Sequence, residues 1–290
     1  MPNTPKAKIA VIGGTGLEDI EGLTDVQQVN LDTPFGKPSD AITIGKLDGV
    51  GIAFLPRHGR GHFISPTELP VRANIYALKS LGVEHIIAVC SCGSFKQEYA
   101  PGHLMIPDQL IDRTYHRVNT YFTDGIVAHI GFAEPFCREL SQILISSAKE
   151  AKAIVHGKGT YVCMEGPAFS TRAESKLHRS WGADVIGMTA LPEAKLAREA
   201  EICYAVIACV TDYDSWWDPG KPVDVATVIK TLNDNIALSK QIIKLAVKKI
   251  PEHPGCNCAQ ALDGAIVTAP EKIPAAMKKK LGLIIKKYIK

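Results

Sequence analysis

Short apolar runs rich in Val, Ile and Ala alternate with longer stretches of helical periodicity along the chain. Gly or Pro bounds several of these runs, which predicts β-strands. The predicted strands are KIAVIGG, AITIGKL, GVGIAFLP, HIIAVC, HLMIPDQLI, GTYVCMEG, ADVIGM and CYAVIACV. Helices are predicted over 71–81, 135–151, 171–181, 192–200 and 223–249. This alternation predicts an α/β fold in which a central β-sheet packs between helices.

Length and composition describe an ordinary globular protein. The 290 residues suffice for a sizeable core, and α/β domains of this length are often single units. The chain is 46% hydrophobic and 22% charged, and its net charge of +3 gives no ground for a nucleic-acid partner. We find no signal-peptide core and no apolar run of membrane-spanning length, so we expect a cytoplasmic protein without a membrane partner.

The basic tail 271–290 predicts one more helix. Lysines surround three apolar residues spaced for one helical face: Leu281, Ile284 and Ile285. We expect a solvated terminal helix here, although basic amphipathic helices can bind membranes.

The cysteines fall into two groups. Six lie mostly in apolar runs and are expected to be buried free thiols: Cys90, Cys92, Cys137, Cys163, Cys203 and Cys209. Cys256 and Cys258 lie instead in the polar, turn-like segment HPGCNC. Free surface thiols, a disulfide or redox pair, and a metal site with His253 all remain open for this pair. Structural zinc usually takes four ligands and no fourth is obvious, so no metal is included among the predicted site components.

Small and polar residues follow several predicted strands, at the position where open α/β sheets bind ligands. An arginine at a strand end can hold a phosphate through two parallel hydrogen bonds, and small-residue loops offer backbone N–H groups. Together, AVIGGTGLED, FLPRHGRGH, AVCSCGS and GMTALPE predict one anion site, composed of Thr15, Arg57, His58, the Cys90–Ser91 backbone and Thr189. The sequence has no Walker lysine motif, so free phosphate fits this site better than a nucleoside triphosphate.

The segment CYAVIACVTDYDSWW places two carboxylates where an apolar run ends. Extended backbone directs alternate side chains to one face, so Asp212 and Asp214 are expected to point the same way. Mutual repulsion and burial both disfavour their charge, so at least one of them should have a raised pKa. This pattern fits an acid catalyst, and it fits a simple turn as well, because Asp is common where strands end.

Six segments, in order and spacing, resemble the 5′-deoxy-5′-methylthioadenosine phosphorylases: GGTGLED, DTPFGKPSDAITIGKL, RHGRGH, CMEGPAFSTRAES, WGADVIGMTALPEAKLAREAEICYA and TDYDSWW. The likeness covers a domain at 7–250 and leaves 251–290 as a tail with a Cys-x-Cys and a basic helix, which we expect to pack on the same domain. It implies a nucleoside phosphorylase-like single domain with a central mixed β-sheet flanked by helices. It also implies a transferase of purine and methionine salvage that converts methylthioadenosine and phosphate to adenine and 5-methylthioribose 1-phosphate. Phosphate is then a co-substrate, and no cofactor is expected.

The resemblance also implies residue roles, position by position. Asp212 and Asp214 would address the purine, and we expect Asp212 to act as the acid while Asp214 helps to accept hydrogen bonds from the 6-amino group. The implied phosphate contacts are Thr15, Arg57, His58 and Thr189, with Ser91 nearby and Cys90 contributing only its backbone. The implied nucleoside contacts are Met188 along the ribose, Phe169 and Ser170 at the base, Val225, Val228 and Ile229 in the methylthio pocket, and His129 from a neighbouring subunit. The implied assembly is a homotrimer or a dimer of trimers.

Two other functions compete with this one. A related purine nucleoside phosphorylase could use adenosine, inosine, guanosine or methylthioinosine, but a 6-oxo group would be better served by Asn than by Asp. A non-catalytic nucleotide-binding module is the other alternative, and only the glycine loop supports it. That loop has Gly14 and Gly16 in place but Asp19 where the dinucleotide fingerprint needs Gly or Ala, so its support is weak.

Overall fold

The computed structural model describes residues 5–14, 16–217, 225–252 and 254–289, with the side chains of 225–230 and 232 left aside. The described residues form eleven β-strands and six α-helices. The strands are β1 (Ile9–Gly13), β2 (Leu23–Val29), β3 (Ile42–Leu47), β4 (Val50–Pro56), β5 (His85–Ser94), β6 (Leu104–Met105), β7 (Gln109–Arg113), β8 (Val155–His156), β9 (Thr160–Met164), β10 (Val185–Gly187) and β11 (Cys203–Tyr213). The helices are α1 (Val71–Ser80), α2 (Arg138–Glu150), α3 (Arg172–Ser180), α4 (Ala190–Glu199), α5 (Val225–Val247) and α6 (Ala275–Ile285).

One mixed sheet contains these strands. Its main order is β2-β3-β4-β1-β5-β10-β9-β7, while β11 pairs with both β5 and β6, and β8 pairs with β6. Strand β1 runs parallel to β4 and β5, β11 runs parallel to β5, and β10 runs antiparallel to β5. The prediction of a mixed central sheet flanked by helices is therefore confirmed.

The main core consists of two apolar layers, one on each side of the sheet. Because successive side chains of a strand point to opposite faces, β5 supplies Ile86 and Ala88 to one layer and Ile87 and Val89 to the other. Helices α1, α4 and α6 contribute to the first layer, and α2 and α5 contribute to the second. Each fully buried aliphatic side chain contributes about 1.5–3 kcal/mol. Burial on both faces explains why the central strands read as uninterrupted apolar runs.

Some sequence predictions were wrong in detail. Strand β2 was not predicted because it lies at the sheet edge with mostly exposed residues, so LTDVQQV carries no apolar run. Strand β8 is only two residues long and was missed as well. The predicted strand HLMIPDQLI is two strands, β6 and β7, on either side of Pro107, which has no N–H to donate to a strand partner. Helix α2 begins at Arg138, later than the start expected at residue 135.

The C-terminal segment packs against the same core. Helix α6 is not solvated on all sides, because its three spaced apolar residues join the core layer of α1 and α4: Leu281, Ile284 and Ile285. Glu201 also accepts hydrogen bonds from the backbone N–H of Leu262 at 3.2 Å and from the Tyr288 hydroxyl. Within the described ranges, none of the helices has the length and apolarity needed to cross a bilayer.

Candidate active site

The ends of β1 and β4 lie side by side, next to the middle of β5, because these three strands run parallel. Gly13 is paired with Pro56, and the next residue, Arg57, donates its backbone N–H to the Gly13 carbonyl at 2.8 Å. Arg57 and His58 therefore lie at the same end of the strands as the start of the glycine loop. Thr15, predicted to share this site, lies outside the described residues.

The Arg57 guanidinium is buried and already engaged. Its Nε and Nη2 donate to the two carboxylate oxygens of Glu193 at 2.5 and 3.2 Å. Nη1 also donates to Val89 O, and Nη2 to Ile12 O. Burial opposes the charge, yet attraction and hydrogen bonding to Glu193 raise the pKa of Arg57. The guanidinium of Arg57 was expected to hold phosphate through two parallel hydrogen bonds, but its Nε and Nη2 hold Glu193 in that way instead. One Nη1 hydrogen remains that no described residue accepts.

His58, which lies at the same end of the strands as Arg57, is a neutral hydrogen-bonding group. Its Nδ1 lies 2.8 Å from Ile64 O, and since a carbonyl only accepts, Nδ1 carries the proton. Burial, followed by the neighbouring Arg57 charge, lowers the pKa of His58 to about 4. At neutral pH its Nε2 is therefore an acceptor, suited to a protonated phosphate oxygen rather than to a bare anion.

The antiparallel pairing of β10 with β5 brings Thr189 back toward Cys90. Ile186 pairs with Gly93, so the chain after β10 runs in the reverse direction along β5. The Thr189 hydroxyl is buried and finds no hydrogen-bond partner of ordinary geometry among the described residues. Cys90 is buried, and Ser91 beside it is half-buried. Because a buried hydroxyl without a partner is costly, Thr189 is a ready donor to a ligand.

Asp212 and Asp214 converge on Gly93 of β5. A Cβ at Gly93 would lie 3.0 Å from Asp212 Oδ1 and 3.2 Å from Asp214 Cβ. Because glycine has no Cβ, both acids can pack against this position. Thr211 donates its hydroxyl to Asp212 Oδ2 at 2.8 Å. Asp214 is buried, and its Oδ2 has no hydrogen-bond partner of ordinary geometry in the part of the chain that the structure describes. Both side chains therefore approach the same glycine, as their alternation predicts.

Both acids hold their protons more tightly than ordinary aspartates. Burial, assisted by repulsion from Asp214, raises the pKa of Asp212 to about 6. Burial likewise raises the pKa of Asp214. The prediction of a raised pKa is confirmed, so a proton can be held here close to neutral pH.

The raised pKa of Asp212 predicts a pH-dependent stability difference. Because the pKa of Asp212 is higher in the folded protein, protonated Asp212 contributes to the free energy of unfolding. This contribution is complete below pH 3.8 and is lost as the pH rises through about 6. At neutral pH and above we expect Asp212→Asn to raise the free energy of unfolding by about 1–2 kcal/mol, allowing for partial solvent access. Denaturant titrations in acidic and in neutral buffer measure this gain, which should nearly vanish in acid. An equal gain in both buffers would contradict the assignment.

Ser170, Phe169 and Met188 lie in the segments that flank the acids. Ser170 is buried, and its carbonyl accepts a hydrogen bond from the Ser215 hydroxyl at 2.7 Å, which ties it to the TDYDSWW segment. The Phe169 ring is 47% exposed, so it is free to cover a ligand. Met188 is half-buried and directly follows β10.

A buried ion pair, Arg117 with Glu165, supports these segments and was missed in the sequence. Arg117 donates to the carbonyls of Met188 and Leu191 at 2.5 and 2.6 Å. Glu165 accepts from the Thr67 hydroxyl at 2.6 Å and from Arg117 Nε at 3.3 Å. This network fixes the backbone that carries Met188. Glu165 lies within the motif CMEGPAFSTRAES, but nothing in the motif reveals which arginine it meets.

The remaining predicted contacts belong to α5 and to the segment around His129. Val225, Val228 and Ile229 are in the first turns of α5, and their side chains lie outside the described residues. His129 is exposed, and its backbone N–H donates to Ala265 O at 2.9 Å. The backbone of His129 is therefore attached to the C-terminal segment.

The Arg57–Glu193 pair predicts a large loss of stability when one partner is removed. Arg57→Ala leaves the Glu193 carboxylate buried without its cation, which should cost about 3–5 kcal/mol of unfolding free energy. It should also raise the KM for phosphate or abolish turnover. The double variant Arg57→Met with Glu193→Leu should recover part of the stability but not the turnover. Denaturant unfolding measures the loss of stability, and phosphate kinetics measure the loss of turnover. An Arg57→Ala protein as stable as the parent would refute the predicted loss of stability.

Comparison with known protein families agrees with this geometry. A family model described as the phosphorylase superfamily matches residues 8–248. The chain therefore belongs to the phosphorylase superfamily. The S-methyl-5′-thioadenosine phosphorylase of Geobacter sulfurreducens is 56% identical over 282 residues, which cover 97% of this chain and 99% of the relative.

Two solved structures show the same fold. The crystal structure of a methylthioadenosine phosphorylase from an Antarctic soil metagenomic library has a TM-score of 0.93 and 47% identity, covering 97% of this chain and 99% of that one. The methylthioadenosine phosphorylase of Schistosoma mansoni, in complex with adenine, has a TM-score of 0.83 and 37% identity, covering 89% of this chain and 97% of that one.

Proposed function

We propose that this chain is an S-methyl-5′-thioadenosine phosphorylase, which cleaves methylthioadenosine with phosphate to adenine and 5-methylthioribose 1-phosphate. The observation that carries the proposal is the pair of acids beside Gly93, half-buried Asp212 and buried Asp214, both with a raised pKa. The name of a relative at 56% identity over almost the whole chain supports the same substrate.

The register of β5 supports separate places for phosphate and purine. Cys90, with Thr189 running back toward it, lies three residues before Gly93 and the acids. At about 3.3 Å per residue, this separation is about 10 Å, which leaves room for a sugar between the two ends. We place the purine beside the acids and phosphate at the other end, with Thr15, Arg57, His58 and Ser91.

The reaction needs a proton at the base end. Breaking the N-glycosidic bond pushes electrons into the purine, which leaves poorly until its N7 is protonated or strongly hydrogen-bonded. Asp212, with a pKa of about 6, can supply that proton. Phosphate stabilises the cationic sugar and then attacks C1′, so the bond to the base is replaced by a bond to phosphate.

The contacts at the base select the purine in this proposal. Asp214, whose buried Oδ2 is unpaired among the described residues, accepts a hydrogen bond from the 6-amino group. Phe169 and Ser170 border the base, and Met188 follows the ribose.

The contacts at the sugar select the 5′ substituent. We assign the methylthio pocket to three residues at the start of α5: Val225, Val228 and Ile229. A hydrophobic pocket rejects an added hydroxyl by only about 10²-fold, so some adenosine cleavage is expected.

Phosphate dependence tests the proposed function. The protein is mixed with methylthioadenosine, with and without phosphate, and adenine release is followed by chromatography. Adenine should form only when phosphate is present, together with 5-methylthioribose 1-phosphate. Binding of the nucleoside without cleavage would favour a non-catalytic nucleotide-binding module, and faster cleavage of inosine or methylthioinosine would favour the related phosphorylase.

We further propose a homotrimer, or a dimer of trimers, in the cytoplasm. The exposure of His129 supports a shared site, since its side chain could reach a neighbouring subunit. The eight cysteines are not joined in disulfides, which suits a reducing compartment. Mixing inactive His129→Ala and Asp212→Ala proteins should restore activity if each site is completed by a neighbour. No recovery after verified subunit exchange would show that His129 does not act across an interface.

A further inference from the structure

Four cysteines from three separate parts of the chain meet at one place. The sulfur atoms of Cys137, Cys203, Cys256 and Cys258 all lie within 4.8 Å of one another. Cys256 Sγ is 3.7 Å from Cys137 Sγ and 3.3 Å from Cys203 Sγ. The partners that the sequence could not identify for the Cys-x-Cys pair are therefore Cys137 and Cys203. His253, the ligand considered from the sequence, lies outside the described residues.

The spacing of these sulfur atoms suits a tetrahedral metal. Zinc binds thiolates at about 2.3 Å, which places neighbouring sulfur atoms of a tetrahedron about 3.8 Å apart. A closed set of four cysteines is typical of structural zinc, whereas catalytic zinc keeps an open position. Cys256 is half-buried and the other three are buried, so the site is enclosed but has an approach from solvent.

The secondary structure around the cysteines positions them. Cys137 precedes α2, and its backbone N–H donates to Tyr204 O at 2.8 Å. Cys203 is the first residue of β11, and Cys258 lies in a short helical turn after Cys256. Ligands that the fold already brings together cost less to organise around a cation.

We propose that Cys137, Cys203, Cys256 and Cys258 bind one structural Zn²⁺ ion that fastens the C-terminal segment to α2 and β11. Each ligand that is still a thiol releases its proton on binding, and no oxidant is required. The site is distant from the chemistry, because Cys203 and Asp212 lie nine residues apart on β11, about 30 Å in extended chain. Its role is therefore to hold the fold and not to act on the substrate.

The anchored segment continues to the neighbourhood of His129. Beyond Cys258, Ala265 O accepts the His129 N–H at 2.9 Å, and the Thr268 hydroxyl accepts the Val127 N–H at 2.8 Å. Fastening the start of the segment at the cysteines thus limits the movement of the backbone around His129. Loss of the metal should lower stability more than it lowers turnover at moderate temperature.

Metal and thiol counts on the same purified protein test the proposal. After purification with zinc present and removal of loose metal on a desalting column, mass spectrometry should find about one zinc per chain. Thiol titration in denaturant with a chelator should find all eight cysteines reduced. Cobalt substituted for zinc should give the absorption bands of tetrahedral thiolate coordination.

Paired variants distinguish the cysteine cluster from loosely bound metal. Cys256→Ser with Cys258→Ser should lower the zinc content at least about tenfold and lower Tm by about 5 °C or more. Cys209→Ala, a buried cysteine outside the cluster, is the matched control and should keep its zinc. Four missing thiols without zinc would show two disulfides, and eight thiols without zinc would show free cysteines. Either result, or unchanged zinc in the double variant, would overturn the proposal.

Discussion

Replacing Asp212 by Asn should lower kcat for methylthioadenosine by about 10²–10⁴-fold, the usual contribution of a general acid. The amide keeps the shape of the side chain but has no acidic proton to give to N7. In the proposed arrangement phosphate lies at the other end of the site, so its KM should change little. Steady-state kinetics with varied phosphate measure both constants on the same preparation.

The pH profile of the wild-type enzyme provides a second readout. Asp212 is an acid only while protonated, so kcat/KM should fall as the pH rises through about 6. That limb should be missing in Asp212→Asn. Asp48→Asn, which removes an exposed ion pair with Lys248, is the control and should behave as the parent does. If Asp212→Asn retained full kcat, the proton would have to come from another group.

Replacing Asp214 by Asn should change which purine is preferred. The amide adds an NH₂ donor, which can meet a 6-oxo group, and it weakens acceptance from a 6-amino group. The ratio of kcat/KM for methylthioadenosine to that for methylthioinosine should fall by about 10²-fold or more, because a mismatched substrate leaves buried groups unpaired. Both substrates are measured on the variant and on the parent.

Asp212→Asn is the natural comparison for this substitution. It has the same change of charge in the same site, and it should slow adenine nucleosides without the shift toward methylthioinosine. Thermal melting verifies that both proteins are folded. An unchanged substrate ratio in Asp214→Asn would mean that Asp214 does not read the 6-position, and the proposed division between the two acids would be wrong.

Local patterns explain why much of the fold was predictable. The apolar runs of β5 and β11 are buried on both faces, so their composition alone identifies them. Asp212 and Asp214 were also predictable as a pair, because strand alternation is a local rule. The raised pKa follows from burial at the end of such a strand.

Long-range pairings explain what was not predictable. Glu193 is 136 positions from Arg57, and neither residue's surroundings in the chain indicate that they meet. Cys203 lies in an apolar run, where a thiol is usually a small hydrophobe, and Cys137 lies directly before the charged Arg138. Neither context marks these cysteines as partners of Cys256. Strand β2 was missed for a different reason, since an exposed edge strand has no apolar pattern to detect.

The pairing of Arg57 with Glu193 has a consequence for how phosphate arrives. Because the carboxylate balances the guanidinium, the two contribute little net charge to the surroundings. Attraction of a distant anion depends on net charge and is screened by salt, whereas the hydrogen bonds of a buried site are screened much less. If phosphate binds here as proposed, its capture should rely on contacts made after arrival, and the rate should vary little with ionic strength.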